Sequence, residues 1–192
     1  MVTVCEKDMC AGCMACIDIC PKDAITIRDS LHAYNAVIDT DKCVECTACH
    51  KVCQVGQKPD CHEPRLWIQG WADNEDIRKR SSSGGIATAL MAAFIEEGGT
   101  VCSCTFAHGV FGFDFAESYD DLRRFVGSKY VKSNPSGIYK KIKTRLKNGE
   151  KILFIGLPCQ VAAVKKYVGD KLAKCLYTVD LICHGSPYPK LL

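Results

Sequence analysis

The chain has 192 residues, 47% hydrophobic and 24% charged, with a formal net charge of +3. That is a globular composition without a low-complexity tract, long enough for one medium domain or for a small domain joined to a larger one. The longest apolar run, IATALMAAFI at 86–95, is too short to cross roughly 30 Å of hydrocarbon, so no membrane span is expected. MVTVCEKDMC lacks a basic region followed by an apolar core, so no secretion signal is expected there. Fifteen cysteines, an odd number, then point to reduced thiols in a cytoplasm rather than to a disulfide framework. Residues 1–60 hold six Lys/Arg against nine Asp/Glu, which leaves nineteen against thirteen in 61–192. The mildly basic second part suits an anionic, phosphate-bearing cofactor. It has no basic block interleaved with aromatics, so nucleic acid is not an expected partner.

The cysteines begin with CAGCMACIDICP at 10–21, and CVECTACHKVC at 43–53 repeats the spacing with each cysteine 33 residues on. Two residues between successive ligands let a tight turn wrap one metal centre with three sulfurs. The fourth cysteine rides a short helix away from that centre and serves the other one, the exchange found in bacterial two-cluster ferredoxins. Two 4Fe-4S clusters are therefore predicted. Cluster one takes Cys10, Cys13, Cys16 and Cys53; cluster two takes Cys43, Cys46, Cys49 and Cys20. A zinc ribbon would leave four of these cysteines unused. Pro21 is expected to end the first helix and shield the sulfurs, and Gln54 stands at the matching position of the second half. Between the halves, AITIRDSLHAYNAVIDTDKC predicts two strands with Ile25, Ile27, Ala36 and Ile38 on one face. The expected arrangement is α+β and ferredoxin-like, βαββαβ, over 1–57. Thiolate clusters move single electrons, so this segment reads as a wire.

A polar, proline-broken link follows at 58–65, holding Cys61 and His62, and then LWIQGWA reads as a strand. RKRSSSGGIATALMAAFIEEGG predicts an amphipathic helix of about 13 residues with Ile86, Leu90, Ala93 and Phe94 on one face. The serines and glycines at its start are either a serine cap or an anion site for a phosphate or flavin. TVCSCTFA predicts a buried strand whose Cys102 and Cys104 share a face as small core residues. PSGIYKKIKTRLKNGE predicts a basic amphipathic helix, and KILFIGLPCQVAAVKKY a strand, a tight turn and a helix opened by Pro158. LYTVDLICHGSP predicts a strand and a turn. Apolar strands alternating with helices predict an α/β layer with parallel pairing over 66–192, with ligands at the strand C-ends. Cys159 and Cys183 fall just past two such ends. Cys159 also sits at a helix start, which favours an anionic sulfur fit to ligate iron or act as a nucleophile. Cys5 and Cys175 read as packing thiols.

The order of motifs runs from the double cysteine run through SSSGG, GSKYVKS and GLPCQ to DLICHG. It resembles the family of coenzyme F-420 hydrogenase/dehydrogenase beta subunits, fused to a two-cluster ferredoxin. The resemblance implies an iron–sulfur flavoprotein oxidoreductase with an α/β flavin-binding-type domain, incomplete at its C-terminus, holding FAD. Ser82, Ser83, Gly84 and Gly85 would form one flavin loop. Gly127, Ser128, Lys129, Tyr130 and Ser133 would form a second flavin or substrate loop. Cys159 and Cys183 would ligate a third 4Fe-4S cluster completed by a later segment, so the chain reads as an N-terminal fragment. The implied partners are a redox protein or subunit and a small-molecule two-electron acceptor, a deazaflavin coenzyme or another. The alternative is an electron-transfer module or subunit of a larger redox complex without a substrate of its own.

Overall fold

The computed structural model of the protein describes residues 1–57, 59 and 62–191. Its first part contains β1 (Val2–Thr3), α1 (Ala15–Ile19), β2 (Ile25–Asp29), β3 (Tyr34–Ile38) and α2 (Ala48–Val52). The strands form an antiparallel sheet in the order β1-β3-β2, with Ile25 opposite Ile38 and Ile27 opposite Ala36, as the alternation predicts. Among the described residues the closing strand of the expected βαββαβ order does not form; after Cys53 the chain turns through residues 54–56.

The sequence repeat is also a repeat of backbone conformation. Gly12 and its counterpart Glu45 both take positive φ (63° and 53°), as do Met14 and Thr47 (62° and 60°). The fourth cysteine of each half ends its helix in the same extended conformation, Cys20 at φ −71°, ψ 117° and Cys53 at φ −74°, ψ 115°. Left-handed geometry costs a non-glycine residue about 1 kcal/mol. The cysteine spacing imposes that cost twice in the second half and, through glycine, once in the first. Pro21 lies just beyond the first helix and is exposed rather than shielding the sulfurs.

The second part holds α3 (Glu75–Arg80), α4 (Ile86–Glu96), β4 (Thr100–Ala107), β5 (Val110–Ala116), α5 (Ile138–Lys147), β6 (Ile152–Gly156), α6 (Pro158–Val168) and β7 (Leu176–Asp180). Its sheet runs β5-β4-β6-β7. β4, β6 and β7 pair in parallel, but β5 is antiparallel to β4. The hairpin departs from the parallel expectation because His108 and Gly109 both have positive φ, the geometry of a tight primed turn that reverses the chain within two residues. α5 and α6 cover one face of the sheet, with Tyr139, Ile142 and Val164 in one buried cluster with Phe154 of β6. α4 covers the other through Met91 and Ala92 against Val101 and Ile155.

Two local expectations are corrected. LWIQGWA forms no strand, and Leu66, Trp67, Ile68 and Trp71 are all exposed, Trp67 by 85%. The helix after SSSGG spans 11 residues, and its buried face is Met91 and Ala92, while Ile86 and Leu90 face outward. Periodicity identified the helix, but apolar residues on both flanks of Met91 left two faces available to pack.

The two parts share one core. Cys13, Ala15 and Val52 of the first part belong to the same buried cluster as Tyr139, Ile142 and Val161 of the second. Asp18 is buried in this junction. Its carboxylate accepts from the Gly137 N–H (2.6 Å) and the Tyr139 N–H (3.1 Å), capping α5 from outside its own segment. Burial pushes this carboxyl up, and the amides of Gly137 and Tyr139 act against that push. The Tyr167 hydroxyl donates to the Asp18 carbonyl (3.2 Å), and the Tyr139 hydroxyl to the Cys13 carbonyl (2.8 Å). Asp18→Ala is expected to lower stability by about 2 kcal/mol in urea unfolding, since it strips a charged cap from two buried amides. A loss below about 0.5 kcal/mol, that of an ordinary surface change, would refute the cap.

Candidate functional site

Cys10, Cys13, Cys16 and Cys53 line one cavity, together with Val4, Cys5, Met14, Ala36 and Gln54. These four are the residues the spacing groups as cluster one. In the second half Cys49 lies in the electrostatic neighbourhood of Cys46 and Cys20, two of its expected companions. Amides point at the sulfurs: Gly12 N–H donates to Cys10 Sγ and Glu45 N–H to Cys43 Sγ (both 3.4 Å), and Ala24 N–H to Cys20 Sγ (3.3 Å). Donors of this kind favour negatively charged sulfur and tune an iron–sulfur centre.

The donor set fits iron–sulfur chemistry. Burial holds the Cys13 thiol up at about 11 and raises Cys16 further. Packing several thiols together in a buried space is unfavourable for their ionised forms unless a cation is there to receive them, and soft thiolates select iron–sulfur centres or zinc. A tetrahedral zinc ion would draw its sulfurs to about 3.8 Å of one another. Among the described residues no three Cys, His, Asp or Glu groups converge on such a single-ion site.

The two halves differ in what covers them. Residues 12–16 are buried throughout, Cys13 against α5 and α6 and Cys16 against the sheet of the first part. Their counterparts Glu45, Cys46 and Thr47 are exposed. A Cβ at Gly12 would overlap the Tyr34 ring and lie 3.2 Å from Cε of Lys132, whereas Glu45 carries its side chain into solvent. Cys5, read from sequence as a packing thiol, lines the cluster-one cavity and is pushed up to about 12, first by burial and then by Cys53 and Cys10. Tyr34 is another covering residue, its ring set 4.2 Å from that of Tyr188.

The two flavin-loop segments touch. Ser128 N–H donates to Ser82 Oγ (2.9 Å), joining SSSGG to GSKYVKS across 46 residues. None of the serines caps α4; Gly85 is its N-cap, with no side-chain hydrogen bond. Ser82 and Ser83 are exposed, Gly84 and Gly85 half-buried, and Gly127, Ser128 and Tyr130 exposed. Lys129 donates to the Phe125 and Val126 carbonyls (2.7 and 3.1 Å), and burial lowers its basicity. Ser133 lies apart from them, buried and accepting from Gln160 Nε2 (3.0 Å).

Cys159 sits on the first turn of α6 at the C-terminal end of β6, where ligands of α/β sheets bind. It lies beside Cys13, and Gln54 Nε2 donates to its carbonyl (2.9 Å). Gln54, where the first half has Pro21, thus docks the cysteine repeat onto the GLPCQ turn. Cys183 is half-buried in the loop after β7. Cys102 is fully buried and Cys104 half-buried on β4, and Cys175 packs against the α5–α6 core. Cys61 lies outside the described residues. Sequence reasoning missed Tyr139, Tyr34 and Lys132. Each lies in a stretch quoted above, Lys132 within GSKYVKS, but the fold brings them to the cysteines and no spacing assigns them that place. A separate surface hollow, lined by Gly98, Thr100, Gly149 and Lys151 among others, lies at the N-terminal ends of β4 and β6, away from all these groups.

Comparison with known proteins identifies three segments. Residues 9–57 match the 4Fe-4S dicluster domain. Residues 67–138 match the N-terminal part, and residues 149–192 the C-terminal part, of the coenzyme F420 hydrogenase/dehydrogenase beta subunit. The chain is 23% identical over 210 residues to one of the subunits of the F(420)H(2) dehydrogenase of Methanosarcina mazei, covering 95% of this chain and 55% of that protein. It is 50% identical over 28 residues to a ferredoxin of Methanothermococcus thermolithotrophicus, covering 15% of this chain and 47% of the ferredoxin. The chain thus spans about half the length of the curated relatives it matches. A chain of the F420-reducing NiFe hydrogenase complex of Methanosarcina barkeri aligns with a TM-score of 0.49 at 29% identity, over 60% of this chain and 43% of that one.

The unequal cover of the halves has a measurable consequence. Gly12→Ala is expected to hold about half the iron of the parent after anaerobic reconstitution, since a Cβ there collides with Tyr34 in a left-handed loop. Glu45→Ala should hold all of it. Equal iron in the two variants would overturn the asymmetry.

Proposed function

The chain belongs to the family of coenzyme F420 hydrogenase/dehydrogenase beta subunits and carries a 4Fe-4S dicluster domain at its start, and from that premise we propose that it is an iron–sulfur flavoprotein oxidoreductase. It would exchange electrons between a protein partner and a small-molecule two-electron acceptor, a deazaflavin coenzyme or another. Cys10, Cys13, Cys16 and Cys53 would hold one cluster and Cys43, Cys46, Cys49 and Cys20 the other. Ser82, Ser83, Gly84, Gly85, Gly127, Ser128, Lys129 and Tyr130 would bind FAD, with Ser133 bracing the second loop from behind. Bound clusters supply one-electron transfer and a bound flavin couples it to two-electron chemistry.

The observation that carries the reading is the docking of the first cysteine loop at the C-terminal end of the parallel strands. Tyr139 holds that loop to α5 through the Cys13 carbonyl, Gln54, just past Cys53, holds the GLPCQ turn through the Cys159 carbonyl, and Cys13 lies beside Cys159, so the buried half of the repeat faces the end of the sheet where a ligand would sit. The Ser82–Ser128 contact supports one flavin site built from both glycine–serine loops. The exposed second half, with Cys46 and Val44 at the surface, is the side open to a partner protein. Cys159 and Cys183 remain candidates for a third cluster completed from outside the described residues.

The name of the Methanosarcina mazei relative, that of a dehydrogenase component, favours a second reading: an electron-transfer subunit with no substrate of its own. Dye-linked diaphorase activity of the isolated chain would select the enzyme, and its absence the electron carrier.

Ligand exchange between the halves is tested by single serine variants. Cys10→Ser and Cys53→Ser are expected to abolish the same electron paramagnetic resonance signal, and Cys43→Ser and Cys20→Ser the other. Loss of the Cys10 signal in Cys20→Ser would refute the crossing. The protein should bind one FAD per chain, and Tyr130→Ala should weaken that binding about tenfold, the loss of roughly one stacked or hydrogen-bonded contact. Unchanged affinity in both Tyr130→Ala and Ser128→Pro would remove this loop from the flavin site.

A further inference from the structure

Lys132 lies within GSKYVKS but has no role in the reading above, yet it is the lysine placed most deeply at the junction, 8% exposed. Its segment is pinned on every side. Lys132 N–H donates to the Pro187 carbonyl (2.9 Å), Asn134 N–H to the Phe111 carbonyl (2.8 Å), and the neighbouring Ser133 is held by Gln160. The side chain runs across the C-terminal end of the sheet to the first cysteine loop, where its Cε closes over Gly12. Its ammonium donates to Cys159 Sγ at 3.1 Å.

A buried ammonium costs several kcal/mol unless negative charge repays its lost hydration. Among the described residues no carboxylate lies within ion-pair distance of Lys132. Three N–H donors face one sulfur partner. A lysine nevertheless occupies this position, with Gly12 opposite it, where a Cβ would come within 3.2 Å of the lysine Cε. The groups around it that can carry negative charge are sulfurs: Cys159 and, beyond Gly12, the loop of Cys10 and Cys13.

We propose that Lys132 is a positioning residue of the first cysteine loop, a fixed positive charge that raises the reduction potential of the iron–sulfur centre held there relative to its twin in the second half. The inference rests on the two-cluster reading above. An iron–sulfur core in four thiolates is anionic, and reduction adds one more negative charge; a nearby cation stabilises the reduced form more than the oxidised one. The counterpart Glu45 is exposed, and among the described residues no lysine or arginine is buried beside the second loop, so the two ligand sets, alike in spacing and backbone, are made unequal by this side chain. Cys159 competes for the same ammonium and moderates its effect.

The test is a potentiometric titration of the anaerobically purified full chain, with dithionite as electron donor and the two centres followed by electron paramagnetic resonance. The parent should show two one-electron transitions. Lys132→Met should make one centre harder to reduce, by about tenfold in its reduced-to-oxidised ratio at a given potential (~59 mV for one electron), and leave the other in place. Lys132→Arg should restore the moved transition, and Cys159→Ala should move the same transition the opposite way. Two unmoved transitions in an iron-replete Lys132→Met protein, or equal movement of both, overturn the proposal. Should Lys132→Met lose iron, an unmoved pair of transitions in Cys159→Ala overturns it as well. A parent chain without two iron-dependent transitions instead defeats the cluster reading, and the lysine proposal with it.

Discussion

The structure depends on a carboxylate from one segment capping a helix of another. Asp18 sits between two cysteines of the first run and closes the amides at the start of α5, more than a hundred residues away. The amides at the start of a helix have no partners within it, and an anion there also meets the favourable end of the helix dipole. Burying that contact with the Tyr139 and Tyr167 hydroxyls makes it directional. The cysteine repeat is thereby held in one orientation, with its first half against α5 and α6.

From that orientation the inequality of the halves follows. A repeat with the same cysteine spacing and the same left-handed residues would be expected to make two interchangeable sites. Packing makes them different. Asp18 faces a helix start where its counterpart Lys51 faces water, and Gly12 lies under Tyr34 and Lys132 where Glu45 projects into solvent. Pro21 gives way to Gln54, whose amide reaches the backbone of Cys159. At Asp18 and Gly12 the first half is covered where the second is open, and at Gln54 it is the second half that docks while Pro21 is exposed, so the differences between the repeats mark where each meets the rest of the chain.

The α/β part follows ordinary layer rules. Strands that are apolar throughout, such as Ile152–Gly156, are buried by helices on both faces. The loops at their C-terminal ends are the meeting place of the cysteine loop, the GLPCQ turn and the segment around Lys132. The two glycine–serine loops come together separately, through Ser82 and Ser128. Leu66, Trp67, Ile68 and Trp71 remain exposed beside this arrangement, an apolar stretch that nothing in the described chain covers.

The sequence by itself determined the parts whose physics is local. Cysteine spacing set the wrapped loops, apolar runs and a proline set β6 and α6, and a basic amphipathic pattern with Asn148–Gly149 set α5. It also grouped Cys10, Cys13, Cys16 and Cys53, which line a common cavity. Only the tertiary structure decided which face of α4 is buried, that β5 turns back against β4, and that LWIQGWA forms no strand. It alone placed Lys132, Tyr139 and Gln54 at the cysteines. The reversal of β5 is made by His108 and Gly109, whose positive φ no alternation reveals, while the other outcomes depend on contacts between residues far apart in the chain, where chain periodicity carries no signal and the choice falls to which surfaces can be buried together with their polar groups satisfied.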